Sequence, residues 1–514
     1  MRILDADSMR EVDRAAIEEM GIPSLVLMEN AAIGLADTIA ENLLEVTAVA
    51  IFCGPGNNGG DGLALARHLR IRGYHVEVSL ITTGKGLSGD ARVQLDICQN
   101  QGIAIREYGP DDSVRRAVES ARSMDLVVDA LFGIGLTRPL AGHFAELVEG
   151  LNRLPIPCLA VDLPSGLNGS SAEVIGPHVQ AEMTVTFGAP KVPHVFLPAA
   201  EAVGGVVVAD LGVPTELVDG AAGDLHLLTT EELAGWLKPR RLDSHKGDYG
   251  HAVIVAGSVG KAGAAILAAR GAVRSGAGLV TVAAPAPIVQ TIDLGSVESM
   301  TLPLSVGEDG GLLTENVEAI LEFSAGKQVL TIGPGVGTSP TTFATVRDLV
   351  ATAKCPVVLD ADGLNALAGS FESLSGSQAP RILTPHPGEL ARLLGVTAAE
   401  IQEDRIASVR SAASKTGSVV VLKGYQSLIG NPEGRVFVNP TGNPGMATGG
   451  TGDVLTGMIS GLLSQGYDAL SACCLGVYLH GSAGDIAAAE HGQTGLAARD
   501  LLDSLPDAWD RFQE

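Results

Sequence analysis

The chain has 514 residues, of which 46 % are apolar and only 4 % aromatic, with 65 Gly and a formal net charge of −25. That length exceeds what one hydrophobic core ordinarily organises, and the charge opposes the counterion exchange that nonspecific nucleic-acid binding needs. No apolar stretch reaches the roughly 18 residues needed to cross a bilayer, and the glycines follow no G-x-y period, so membrane-spanning and collagen-like classes are excluded.

In chain order, Asp7 and Ser8 followed by Glu11, then Val12, Ala15, Ala16 and Ile17, predict a capped amphipathic helix ending at Gly21. No basic region followed by an apolar one accompanies it, so a secretory leader is not expected and the location is read as cytoplasmic. Short apolar runs recur near 46–53, 75–82, 126–131, 157–161, 183–187 and 206–210, each leading through Gly or Asp into a helical pattern. Continuous rather than alternating runs mark strands buried on both faces, hence a mostly parallel sheet with helical crossovers. From about 211 to 245 the rhythm lapses, and Pro214, Glu231, Glu232 and the basic segment 238–241 read as a connection with a lead-in helix.

A second series of runs follows at 251–256, 279–283, 328–332, 356–360, 381–384 and 418–422. A hairpin is predicted from 427–429 and 435–438 across Asn431-Pro432, and helices near 453–465 and 471–489. The expected organisation is a first α/β domain over 1–215, a linker and lead-in helix over 216–244, and a second α/β domain over 225–508. Cys53, Cys98, Cys158, Cys355, Cys473 and Cys474 show no C-x-x-C spacing and are expected as buried reduced thiols.

In such sheets ligands bind beyond the carboxyl ends of the strands. Gly54-Pro-Gly-Asn-Asn-Gly-Gly-Asp61-Gly62 follows the first run and precedes a helical pattern. A Gly-rich turn there exposes backbone N–H groups at the positive end of a helix dipole, which suits phosphate, although neither G-x-G-x-x-G nor G-x-x-x-x-G-K-[ST] matches. A turn chosen for backbone shape explains the glycines but not Asn57, Asn58 and Asp61. Asp129 sits inside an apolar run, where an uncompensated carboxylate is costly to bury, and leads into a flexible loop carrying Arg138. Asp162 ends another run and opens Asp-Leu-Pro-Ser165, a carboxylate and hydroxyl suited to holding a cation or moving a proton. Either Asp alone reads equally well as a helix cap; three polar clusters ending three neighbouring strands do not.

The combination GPGNNGGDG, DALFGIGLTRPL and VDLPSGL resembles the NAD(P)H-hydrate epimerases, Rossmann-like metabolite-repair domains, over roughly residues 1–215. The resemblance implies that Asn57, Asn58, Gly59, Gly60 and Asp61, with Gly133, Ile134, Gly135, Leu136, Thr137, Arg138 and Pro139, hold the hydrate. It implies a potassium ion on Asn58, Asp129 and Ser165, and Asp162 as the substrate-contacting, catalytic carboxylate.

In the second half, Asn443-Pro-Gly-Met-Ala-Thr-Gly-Gly-Thr-Gly-Asp453 runs straight into a helical pattern. Its glycines let the backbone fold around an anion at a helix N-terminus, and Asp453 in the first turn can take a proton from a substrate hydroxyl as phosphoryl transfer begins. The plainer reading of Asp453 is a carboxylate favouring the helix dipole. Gly333-Pro-Gly-Val-Gly337, Asp360-Ala-Asp-Gly-Leu-Asn365, Thr384-Pro-His-Pro-Gly-Glu389 and Lys423-Gly-Tyr-Gln-Ser427 fall at other strand ends. Lys423 is read as a phosphate contact or a cap on its strand, and His386 as a substrate contact rather than a metal ligand. Gly260-Lys261-Ala262 misses a P-loop, lacking a glycine at 255 and the Ser/Thr.

These segments, with Ser244-His-Lys-Gly247, Gly257-Ser, Ala262-Gly-Ala-Ala265 and Arg274-Ser-Gly-Ala-Gly278, resemble the ribokinase-like NAD(P)H-hydrate dehydratases over roughly 225–508. The resemblance implies ADP contacts at Lys423, Gly424, Tyr425, Gln426 and Ser427, and at Asn443, Pro444, Gly445, Met446, Ala447, Thr448, Gly449, Gly450, Thr451 and Gly452. It implies hydrate contacts at Ala264, Gly337, His386, Pro387, Gly388, Glu389, Leu390, Ala391, Arg392 and Asp453.

Together the resemblances imply a bifunctional repair enzyme acting on NADHX and NADPHX. The first domain interconverts the R and S hydrates, and the second returns the S form to NAD(P)H with ADP and magnesium, giving AMP and phosphate. Bacterial-type fused members use ADP and eukaryotic relatives ATP. No nucleic-acid or membrane partner is expected, and a homo-oligomer is. The alternative is a small-molecule kinase of vitamin precursors whose first domain is a noncatalytic binding module.

Overall fold

The structure is a computed structural model that describes residues 1–512 except 375, 376 and 378. It divides into two compact units, one spanning Arg2–Gly223 and the other running on from Asp224. The first holds a seven-stranded parallel sheet ordered β3-β2-β1-β4-β5-β6-β7. Its strands are β1 Ala48–Cys53, β2 His75–Ile81, β3 Ala104–Tyr108, β4 Leu126–Ala130, β5 Cys158–Val161, β6 Met183–Phe187 and β7 Gly205–Ala209. Alternate residues of β1 divide between two cores: Val49, Ile51 and Cys53 pack with the helices on one face, Ala50 and Phe52 with those on the other. Such double burial is what a continuous apolar run requires. Each fully buried Ile or Phe contributes about 1.5–3 kcal/mol.

The N-terminal helix, Ala6–Glu18, is capped two residues earlier than expected, by Asp5, whose carboxylate accepts from the Ser8 N–H at 2.7 Å. Just before it, Leu4 pairs with the backbone around Lys191. The cysteines are all free thiols, and only Cys355 is less than fully buried.

The second unit carries a ten-stranded mixed sheet, ordered β11-β10-β9-β12-β13-β14-β15-β16-β17-β8. Its strands are β8 Leu225–Leu227, β9 His251–Val255, β10 Leu279–Pro285, β11 Met300–Leu304, β12 Val329–Ile332, β13 Val357–Leu359, β14 Arg381–Leu383, β15 Val419–Leu422, β16 Leu428–Gly430 and β17 Val436–Val438. The hairpin β16–β17 forms as expected. The stretch read as linker is not one throughout: β8 lies inside it and pairs with β17, and the short helix Thr230–Ala234 follows.

The helix Thr451–Ser464, predicted from 453, is pressed onto the helix Ala262–Arg274. A Cβ on Gly457 would lie 2.0 Å from the Ala268 carbonyl oxygen, and one on Gly461 2.1 Å from Ser275 Oγ. Small residues at this crossing set how closely the helix carrying Asp453 approaches. No helix among the described residues is long and apolar enough to cross a membrane.

Candidate functional site

In the first unit the carboxyl ends of the adjacent strands β1, β4 and β5 open into a cavity of about 870 Å³. Asn57, Asn58, Asp61, Asp162 and the loop from Gly133 to Arg138 line it. Gly59, Gly60 and Pro139 do not. The Asn-Asn-Gly-Gly-Asp segment, expected as a loop, is the first turn of the helix Asn57–Ile71 with Gly56 as its N-cap. A Cβ on Gly59 would lie 2.0 Å from the Gly54 carbonyl oxygen, so this glycine seats the helix on the end of β1. Pro139 packs against Gly176 instead. Gly133 lets its loop pass over two site residues: a Cβ there would meet Asp162 Oδ2 at 2.9 Å and Asn58 Oδ1 at 3.0 Å.

Asp162 has a left-handed backbone, φ 64°, an uncommon conformation for a residue other than glycine. Its N–H donates to the Val185 carbonyl of β6 at 2.7 Å. The Lys191 ammonium, 1 % exposed, donates to Asp162 Oδ1 at 2.8 Å, to Thr186 Oγ1 at 2.8 Å and to the Phe187 carbonyl at 3.0 Å. Thr186 donates to the same Asp162 oxygen at 3.1 Å. His194 accepts the Lys191 N–H on Nδ1 at 2.8 Å, which leaves the proton on Nε2 to donate to the Asp162 carbonyl at 2.8 Å. Burial, then the Lys191 charge, push His194 down to about 4, so the ring is neutral.

Burial alone would raise Asp162, but the Lys191 charge and hydrogen bond hold its carboxyl below the usual range. Its cavity neighbours move the other way. Burial, with the charges of Asp162 and Asp13, lifts Asp61 well above the ordinary value, and burial lifts Asp13 to about 6. Lys191, Thr186, His194 and Asp13 carry no motif and escaped the sequence reading. Extending the strand-end rule past the run at 183–187 reaches Lys191.

Asp129 is fully buried at the end of β4 and no cationic side chain pairs with it among the described residues. Ser165 donates to it from Oγ at 2.7 Å and from its N–H at 2.8 Å, and Leu131 N–H donates at 3.2 Å. Burial, only partly offset by these donors, raises it to about 6. Asn58 Nδ2 is buried without a partner. An unpaired N–H donor ligates no cation, so the hard oxygens that fit an alkali cation here are the Asp129 carboxylate, buried without a cationic side chain among the described residues, and the Ser165 hydroxyl.

In the second unit, Asp453 stands in the first turn of Thr451–Ser464, behind Gly450 with φ 95°. Lys423, following β15, pairs with Asp360 Oδ1 at 2.7 Å and lies 3.9 Å from Glu389 Oε2. Its ammonium sits 3.3 Å from where a Cβ on Gly452 would be, so it stands at the Gly-rich turn. Asp360 also accepts from Thr384 Oγ1 at 2.9 Å and Thr456 Oγ1 at 2.8 Å. Asp453 is raised to about 7 by burial and by the charge of Asp360, with Lys423 pulling the other way. That places a proton acceptor near neutral pH beside a helix N-terminus.

His386 caps the helix Pro387–Leu394. Its Nδ1 accepts from the Gly388 N–H at 3.0 Å, and the Glu389 carboxylate accepts from the His386 N–H at 2.8 Å. Leu390 and Ala391 are buried in the core, so of the expected 386–392 segment these two turn their side chains away from the cleft. Arg392 donates to Asn365 Oδ1 at 2.9 Å. The Gly337 N–H donates to Asp362 Oδ2 at 3.0 Å, which also meets the Lys261 ammonium at 3.1 Å. Ala264 packs within 3.1 Å of a Cβ built on Gly335. Lys261, from the rejected P-loop, thus anchors the Asp362 loop. Asn443 is pinned by donating to Asp485 Oδ1 and the Gly484 carbonyl, each at 2.9 Å. Tyr425 is exposed, and the guanidinium of Arg405 holds its carbonyl.

Comparison with known proteins agrees with this division of chemistry. Residues 252–507 match the family model described as NAD(P)H-hydrate dehydratase, and residues 24–192 match the YjeF-related protein N-terminus. The bifunctional NAD(P)H-hydrate repair enzyme of Moorella thermoacetica is 44 % identical over 509 residues, 98 % of this chain and 96 % of its own. That of Escherichia coli is 33 % identical over 500 residues, 97 % of this chain and 92 % of its own. A Bacillus subtilis ADP/ATP-dependent NAD(P)H-hydrate dehydratase, crystallised with ATP and Mg²⁺, is 37 % identical with a TM-score of 0.50. It covers 57 % of this chain and 100 % of its own.

Proposed function

The chain belongs to the family of bifunctional NAD(P)H-hydrate repair enzymes, and from that premise we propose how its residues divide the work. It carries an NAD(P)H-hydrate epimerase and an NAD(P)H-hydrate dehydratase in one polypeptide. Our assignment gives the first to the Asp162 cavity and the second to the Asp453 cleft. The observation that carries it is Asp453, a carboxyl raised to about 7 in the first turn of a helix behind a Gly-rich loop, with Lys423 alongside.

In the dehydratase, ADP lies with its phosphates on the N–H groups of 449–452 and on Lys423. Asp453 takes the proton of the S-hydrate hydroxyl as that oxygen attacks the β-phosphorus, and AMP leaves. The new phosphate ester is then expelled with its C–O bond electrons, the ring nitrogen's lone pair assists, and a ring proton is lost to restore NAD(P)H. Phosphorylation matters because phosphate is a far better leaving group than hydroxide. Magnesium would be held chiefly by the nucleotide's own phosphates, the usual mode for an ion that dehydrates reluctantly. The carboxylates Asp360 and Asp362 already have the lysines Lys423 and Lys261 as partners. The ion's contribution is to screen the phosphate charge.

In the epimerase, ionised Asp162 is the base acting on the hydrate, and Asn57, Asn58 and the 133–138 loop hold the substrate. Asn58, Asp129 and Ser165 would hold potassium, whose charge would neutralise the buried Asp129. The test follows regain of NADPH absorbance from mixed R and S NADPHX with ADP or ATP, magnesium and potassium. Complete conversion with ADP supports both sites and the donor. Arrest at the S fraction removes the epimerase, and no conversion with either nucleotide overturns the assignment.

A further inference from the structure

We infer that Asp13, on the helix Ala6–Glu18, is the proton donor of the epimerase reaction, sharing the cavity with the base Asp162. The inference rests on the epimerase assignment of the first unit. No motif contains Asp13, and the family match to this unit begins at residue 24, beyond its helix.

The geometry begins with the backbone. The Leu4 N–H donates to the Pro190 carbonyl at 3.0 Å and the Val192 N–H donates to the Leu4 carbonyl at 3.2 Å, tying the start of the N-terminal helix to either side of Lys191. Met9, Asp13 and Ile17 then fall on one helical face at a spacing of four residues, and all three line the cavity. Met9 seats that face, its methyl group lying 3.2 Å from where a Cβ on Gly188 would be. The charged groups sharing the cavity are Arg10 on the same helix, Asp61, Asp90, Arg138, Asp162 and Lys191. No hydrogen bond or ion pair engages the Asp13 carboxyl among the described residues, whereas Lys191 and Thr186 both donate to Asp162 Oδ1. Burial and the charges of Asp162 and Asp13 raise Asp61 well above the ordinary carboxyl value, which favours its neutral form. Asp13, raised by burial to about 6 against the pull of Lys191, can both give a proton and take it back.

The hydrate is a hemiaminal, with its hydroxyl on the carbon bonded to the ring nitrogen. Asp162 takes the hydroxyl proton, the oxygen electrons form a C=O bond, and the C–N pair leaves onto nitrogen, which receives the proton of Asp13. The open aldehyde turns about its adjoining C–C bond. On closure the nitrogen lone pair attacks the other carbonyl face, its proton returns to Asp13, and Asp162 returns a proton to the oxygen. No atom is gained or lost, and each carboxyl ends as it began. Expelling water and adding another would instead leave Asp162 protonated and Asp13 ionised, the state that Lys191 disfavours.

The test compares Asp13→Asn and Asp13→Glu in the full-length chain, with added ADP, magnesium and potassium. Asp13→Asn should consume the S hydrate at the wild-type rate but lower epimerase kcat/KM by about 10²-fold or more. Wild-type epimerase kcat/KM should decline as pH rises through about 6 in the free enzyme, and the Asn variant should lack that limb. Asp13→Glu should keep the limb and part of the rate. Calorimetry should show the first unit no less stable in either variant, since no partner is lost and a neutral Asn relieves the buried carboxylate above about pH 6. Epimerase within twofold of wild type in Asp13→Asn, or a Glu variant as inactive as the Asn one, overturns the inference. A wild-type chain unable to consume the R hydrate overturns the epimerase assignment instead.

Discussion

Replacing Lys191 by methionine removes the one cation bonded to Asp162 among the described residues and keeps most of the side-chain volume. The ammonium is 1 % exposed and makes three hydrogen bonds of 2.8, 2.8 and 3.0 Å, and without it the carboxylate keeps only the hydrogen bond from the neutral Thr186 hydroxyl among the described side chains. Breaking a buried ion pair from one side costs about 3–5 kcal/mol. For a unit of this size that lowers the unfolding temperature by roughly 6–20 °C. Both tryptophans, Trp236 and Trp509, lie outside the first unit, so calorimetry with hydrogen exchange on first-unit peptides is the suitable assay. The sign with pH follows from the depressed carboxyl. Asp162 contributes stability above its unfolded pKa of about 3.9 that is lost as pH falls through its folded value, so the gap between wild type and variant should close in acid. Epimerase kcat/KM should fall at least about 10²-fold, because burial then drives Asp162 toward its neutral form. The double variant Lys191→Met/Asp162→Asn has no buried unpaired charge and should regain most of the lost temperature but none of the activity. Equal instability of single and double variants would refute the electrostatic account and place the cost in packing around the lysine stem.

Asp453→Asn should lower dehydratase kcat about 10²–10⁴-fold while leaving R/S interconversion intact. Wild-type dehydratase kcat/KM should drop as pH falls below about 7, a limb the Asn variant lacks. Because the folded pKa of Asp453 is raised, wild type loses stability as pH rises from about 4 through 7, and the variant should not. Gly457→Ala puts a Cβ 2.0 Å from the Ala268 carbonyl oxygen, so the second unit should lose about 1–3 kcal/mol. Nucleotide KM should rise as the Asp453 helix shifts, with epimerase unchanged; an unaltered KM refutes the link between that crossing and the phosphate site. Potassium chloride, against choline chloride at equal ionic strength, should raise the unfolding temperature of the first unit by mass action, and Asp129→Asn should abolish the rise. Equal stabilisation of wild type and Asp129→Asn would remove Asp129 from the ion's ligands.

The strands that the sequence reading missed are β3, β8 and β11, three of the four sheet edges. Continuous hydrophobicity is the signature of burial on both faces, and an edge need not supply it. β3 reads Ala-Ile-Arg-Glu-Tyr and is mostly exposed, β11 contains Pro303, and β8 is three residues long. The site was legible where chemistry and strand ends coincide, at Asp129, Asp162, Lys423 and Asp453. It was illegible where function depends on a partner brought in from a distant segment. Lys191 lies 29 positions from Asp162 and Lys423 63 from Asp360, and neither pairing has a local spacing to betray it.

Each of the two carboxyls proposed as catalytic, Asp162 and Asp453, has a lysine nearby, yet the two are tuned in opposite directions, and the difference lies in what the lysine is bonded to. Lys191 gives its bonds to Asp162 itself, to the Phe187 carbonyl and to Thr186, whose hydroxyl donates in turn to the same carboxylate oxygen, so the cation's field is spent largely on Asp162. Lys423 is committed at 2.7 Å to Asp360, a residue itself 1 % exposed and bound by two threonine hydroxyls. Asp453 therefore sees both the ammonium and the carboxylate it is paired with, and burial together with the carboxylate charge prevails. An incoming nucleotide alters that balance, because its phosphates compete with Asp360 and Asp453 for the same cation. Lys423 drawn toward phosphate leaves Asp453 more basic at the moment a substrate hydroxyl is to be deprotonated. A carboxyl that titrates near 7 in the free enzyme should thus show a higher apparent pKa in kcat than in kcat/KM, and equal values would mean that the Lys423–Asp360 pair stays closed when nucleotide binds.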